Sequence, residues 1–152
     1  MINELLWKLV DKLKLRCRVI EVDGDPYLSR FYLLHTRRDI LPGIFLHYFH
    51  RGDNDRELHN HPWEKALSFI LWGGYTEEYL DRDGNKQKRI LKPGNINRIA
   101  QGHFHRVELL KDGCWSLFIA GKRVQGWGFW DNEKWEYYPH TEFFARQRSS
   151  SS

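Results

Sequence analysis

Cysteine is scarce in this chain. Cys17 and Cys114 are the only two among 152 residues, too few for a disulfide framework. Each sits alone in an apolar context, so both are expected to be inert core thiols. Long apolar runs are missing as well. No stretch approaches the ~18 residues of a membrane span, and Glu4, Lys8, Asp11 and Lys12 break up any apolar core of a signal peptide. The expectation is a cytoplasmic protein with no membrane partner. Charge is not concentrated either. The formal net charge is +4, with basic residues spread along the sequence, which gives no footprint for specific nucleic-acid binding. The high isoelectric point leaves weak anion binding open. Neither an internal repeat nor an interdomain linker is present, so residues 1–148 read as one domain and the serine tail, 149–152, as disordered.

Aromatic residues are plentiful. Seven Trp, seven Tyr and nine Phe supply large buried surfaces from few positions. Residues 1–15 place Ile2, Leu5, Leu6, Leu9, Val10 and Leu13 at the i, i+3, i+4 spacing of an amphipathic helix. Its polar face mixes acids with lysines, which suits packing on the body or in a homodimer better than lying on a membrane. Beyond Leu15 the pattern changes to short strands rich in aromatic and β-branched residues, such as GIFLHYFH, KALSFILWGG and WSLFIAG. Asp23-Gly24, Pro42-Gly43, Asp83-Gly84, Pro93-Gly94 and Asp112-Gly113 punctuate them as turns. Many short strands with regular turns predict an all-β antiparallel sandwich or barrel behind an N-terminal helix.

The chemistry concentrates in LHNHPWEKALSFILWGG, Leu58 to Gly74. On a strand, His59 and His61 share a face. Two neutral imidazoles on one face invite a metal, but two ligands do not complete a site. Downstream, LKPGNINRIAQGHFHRVELL brings a Pro-Gly turn, a short strand, a second Gly turn, and then His103 and His105 on a returning strand.

This order of parts resembles the two motifs of the cupin (RmlC-like double-stranded β-helix) superfamily, here of a small, uncharacterised single-domain type. The first motif corresponds to Gly52–Gly73. The second corresponds to Pro93-Gly94 through His105, and the two span about a third of the chain. The resemblance implies a jelly-roll barrel and puts His105 on the family's last metal ligand, beside His59 and His61. It also exposes a departure. The family's glutamate would fall on Lys65 or Ala66, and Glu64 lies one step early, facing away unless Pro62 kinks the strand. The ligand set implied is therefore His59, His61 and His105, with Glu64 and His103 as alternates.

Three imidazoles suit Fe(II), Zn, Ni, Mn or Cu and leave coordination positions open. Some cupin dioxygenases carry three-histidine iron sites, so the resemblance favours an Fe(II) dioxygenase or oxygenase acting on a small molecule. The alternatives are a non-redox isomerase or epimerase, and a non-enzymatic protein that binds a small molecule or a nucleotide signal. Trp63, Tyr75, Arg98 and Arg106 are candidates for the substrate-binding wall, the arginines for a carboxylate or phosphate. His47 shares parity with Phe45 and Phe49 and reads as a satisfied inner-face histidine. The aromatic group Trp127, Phe129, Trp130 and Trp135 reads as core or dimer packing.

Overall fold

The computed structural model describes residues 1–34, 43–53, 57–124, 126–131, 134, 136–139 and 141–142. His35, His140, Trp135 and the serine tail lie outside them.

Among the described residues, helix α1 (Ile2–Lys12) is followed by twelve strands: β1 (Cys17–Val22), β2 (Asp25–Leu34), β3 (Gly43–Phe49), β4 (Leu58–His59), β5 (Lys65–Trp72), β6 (Tyr75–Leu80), β7 (Lys86–Leu91), β8 (Ile96–Ala100), β9 (His105–Leu109), β10 (Cys114–Ala120), β11 (Gly128–Asp131) and β12 (Glu136–Pro139). They form two six-stranded sheets in the orders β1-β2-β3-β10-β5-β8 and β12-β11-β4-β9-β6-β7, with every pairing antiparallel. Among the described residues no helix is long and apolar enough to cross a membrane.

Period-2 alternation decides what each face of the first sheet meets. On β10, Trp115 and Leu117 face α1, while Cys114, Ser116 and Phe118 face the second sheet. The helix lays Leu6, Trp7 and Val10 on Phe31, Leu46, Tyr48 and Trp115. Trp7 meets Tyr48 and Trp115 edge-on at centroid distances of 4.8 and 4.9 Å. The indole of Trp115 donates to Asn3 Oδ1 at 2.8 Å, which fixes the helix at its first turn. The opposite helix stripe, with Leu5, Leu9 and Leu13, remains exposed.

On the other side, Ile70 and Cys114 of the first sheet pack with Tyr75, Leu91 and Val107 of the second. A polar link crosses at the same place. Asn97 Nδ2 on β8 donates to the Tyr75 hydroxyl and to Glu77 Oε1 on β6, each at 3.0 Å. The two sheets are thus held face to face by apolar packing and by one buried polar network. Cys114 is buried, as its apolar context implies, but Cys17 is not. It begins edge strand β1, which has a neighbour on one side only, so the expectation of two core thiols fails there.

Candidate metal centre

Residue pairing in the second sheet assembles the histidines. His59 on β4 stands opposite His105 on β9, and His105 stands opposite Tyr79 on β6. Strand β4 ends at His59. His61 therefore sits past the strand rather than on it, where Pro62 accepts a backbone hydrogen bond from Val124. The rings nevertheless converge.

Centroid separations are 5.1 Å for His59–His61 and 5.0 Å for both His59–His105 and His61–His105. A metal–nitrogen bond of ~2.1 Å plus the ring radius puts a ligand ring about 3.2 Å from its ion. Three centroids spaced about 5 Å apart allow a point at that distance from all three, on one side of their plane, subtending roughly 100° between ligands as on one face of a tetrahedron or octahedron, and one ring nitrogen of each lies within 4.8 Å of the others. The donor set therefore fits a transition-metal ion.

For His105, tautomer control comes from a carboxylate behind the ring. Glu77 has no exposed surface, and its Oε1 lies 2.5 Å from His105 Nδ1. An ionised carboxylate only accepts, so His105 donates from Nδ1 and keeps the Nε2 lone pair free. That Nε2 stands 2.7 Å from His61 Nε2. Without a cation, a proton on His61 fills the gap; a cation would replace it. Behind His59, Asp53 Oδ2 lies 3.9 Å from Nδ1. Asp53 is itself held by the Tyr27 hydroxyl and the Val107 amide, both at 2.6 Å.

Burial keeps His59 and His61 neutral. It pushes His59 down to about 4, with Asp53 opposing and His105 and His103 assisting. It lowers His61 well below the usual histidine value, and the neighbouring imidazoles add to the effect. Glu77 behaves oppositely. Burial works against its charge, but hydrogen bonds from His103, His105 and Asn97 outweigh that and hold the carboxyl below the usual range. Its Oε2 also takes Arg89 Nε at 2.5 Å.

A second group able to hold a cation consists of Glu77, His103 and His105. Its carboxylate already receives His105, His103, Asn97 and Arg89, which leaves it little capacity for an ion. His103 Nε2 lies 3.2 Å from Glu77 Oε1, and its ring stacks on Tyr79.

The sequence-predicted residues separate into three sets. His59, His61 and His105 come together, and Trp63 joins them by stacking on His61 at 5.5 Å. Tyr75 is buried in the Asn97–Glu77 network, and burial raises its pKa. Glu64, Arg98 and Arg106 stand apart. Glu64 is exposed, and its backbone pairs with Lys122 and Gln101. Arg98 is exposed on β8, at the parity opposite Asn97 and Ile99. Arg106 alternates outward from His105 and Val107 and pairs with Glu78 at 3.4 Å. His47 is buried and accepts from Arg30 Nε at 3.0 Å.

Sequence reasoning passed over Glu77 and Asp53. A signal for Glu77 existed, because in YTEEYL it shares the parity of Tyr75 and Tyr79. Asp53 carried none, lying among alternating acids in GDNDRE.

No family model matches the chain, and no curated protein matches it. Solved structures do. A crystal structure of FeII HppE superposes with a TM-score of 0.57 at 14% identity, over 70% of this chain and 56% of the other. Hydroxypropylphosphonic acid epoxidase from S. wedmorenis gives 0.52 at 16% identity, over 69% and 55%. Bacillus subtilis oxalate decarboxylase, in a study of its Mn(II) centres, gives 0.53 at 18% identity, over 72% and 29%. The chain thus matches little more than half of the epoxidase and less than a third of the decarboxylase. At such identities the likeness is one of fold alone.

Proposed function

We propose that this chain is a metal-dependent cupin-type oxidoreductase that holds one divalent transition metal, Fe(II) foremost, on His59, His61 and His105 and oxidises a small molecule. The observation that carries the reading is the near-equilateral triangle of imidazoles with an ionised carboxylate behind His105. Bound there, Fe(II) would supply redox chemistry and open coordination positions for substrate and O2.

The protein's own contributions follow from the contacts. Glu77 holds the proton of His105 at Nδ1, and Arg89 and Asn97 hold Glu77 in turn. Asp53 presents a carboxylate to His59 Nδ1. Trp63 braces His61, and Phe118 braces Trp63 at 5.2 Å. This aromatic side limits water around the histidines and strengthens every charge interaction there.

The test is anaerobic loading with Fe(II), metal quantitation, and oxygen uptake measured against candidate small molecules. One metal per chain, lost in His61→Ala, is the expected result. A wild-type protein that stays metal-free at micromolar Fe(II), Zn(II), Mn(II) and Ni(II) would leave a binding protein in place of an enzyme.

A further inference from the structure

Arg30 faces the second sheet from β2, opposite His47 on β3. Its Nε donates to His47 Nε2, and the Tyr32 hydroxyl takes a second hydrogen bond. Both partners are neutral. Among the described residues no carboxylate pairs with Arg30, whereas Arg89 and Arg106 each have one. Its guanidinium lies instead 5.1 Å from the Phe45 centroid and 5.9 Å from that of Trp63. Burial destabilises its charge, and aromatic faces compensate only part of a desolvated cation.

Trp63 is also the ring stacked on His61, so one indole bridges Arg30 and the histidine triangle. Arg30, Tyr32, Trp63 and His61 all keep some exposure.

We infer that the substrate or ligand carries an oxyanionic group, a carboxylate or phosphonate, which docks on Arg30 while the rest of the molecule lies along Trp63 toward the histidines. This deepens the proposed function and rests on it for the reacting end only. A guanidinium matches such groups bidentately, and a lysine would not reproduce that geometry. Arg98 and Arg106, attractive in the sequence, stand away from the histidines, the first exposed on the far side of β8 and the second paired with Glu78.

The test titrates propionate, methylphosphonate and the neutral propionamide into the protein by calorimetry, both metal-free and loaded with Zn(II). At least one anion should bind in both states, propionamide at least about tenfold more weakly, and Arg30→Met should weaken the anion about 10–100-fold with metal uptake unchanged. Arg30→Lys should recover only part of the loss. In the unaltered protein, the Arg30 Nε–H resonance should move with the anion and not with propionamide, a readout that does not depend on a variant folding. Equal binding of propionamide, anion affinity unchanged in Arg30→Met, or binding seen only with metal and indifferent to Arg30 would overturn the inference. Arg30-dependent anion binding in a protein that takes up no metal would instead overturn the proposed function and leave the anion subsite standing.

Discussion

In Glu77→Gln the side chain keeps its length but loses its charge among four donors: Arg89 Nε, Asn97 Nδ2, His103 and His105 Nδ1. Glutamine offers one acceptor oxygen and turns its NH2 toward a donor, whichever way it is placed. Breaking a buried charge pair by removing one partner costs about 3–5 kcal/mol. Here Arg89 keeps 37% side-chain exposure and recovers water, which points to the lower end, about 3 kcal/mol. For a chain of this length that is a fall in Tm of about 6–12 °C, to be read by calorimetry on chelator-treated protein. Metal binding supplies the second axis. Loss of a carboxylate behind a ligating histidine weakens affinity about 10–100-fold, because the tautomer is no longer fixed and the ring is less basic. A Tm within about 2 °C of wild type, together with affinity within about threefold, would refute both the buried-pair energetics and the orienting role assigned to Glu77.

Three further outcomes follow from the same geometry. Metal-free protein should lose stability in acid: His59 titrates near 4 when folded and near 6.5 unfolded, so its contribution is present above about pH 6.5 and disappears as pH falls toward 4, about 3 kcal/mol in all. His61 and His47 shift in the same direction; urea midpoints that stay flat between pH 7 and 5 would contradict their burial. Glu64→Ala should leave metal content unchanged and stability within about 0.5 kcal/mol, while His61→Ala abolishes metal binding; equal metal loss in both variants would return Glu64 to the site. Trp115→Ala, at a fully buried ring against α1, should cost about 3–5 kcal/mol in denaturant, and a loss under about 1 kcal/mol would mean the helix is not docked as described.

Much of the architecture was legible because period-2 and period-3.6 patterns are local. The helix, the turns at Asp83-Gly84 and Pro93-Gly94, and strands β3, β5, β8, β9 and β10 all stand close to where alternation and punctuation put them. Strand β6 was passed over because adjacent glutamates in YTEEYL lower its strand signal. Strand β1, CRVIEV, was passed over because Arg18 and Glu21 interrupt its valines and isoleucine. Neither has the apolar run that marked the others.

The sequence by itself determined that His105 and Val107 share a face along β9, whereas His61, past the end of β4, meets His59 through the fold rather than through strand spacing. It could not say which face looks inward or which distant strand lies alongside. Glu77 on an inward face, with Arg89 directly opposite and Asn97 reaching across from the other sheet, is a buried ion-pair network. The same letters on an outward face would be a solvated salt bridge. Arg30, Arg98 and Arg106 are equivalent as letters. Only the packing of two sheets leaves the first desolvated beside Trp63, the second in solvent and the third paired with Glu78. Burial and the sign of neighbouring charge depend on contacts far apart in the chain, and those contacts, not local periodicity, turn a histidine pair into a candidate metal centre.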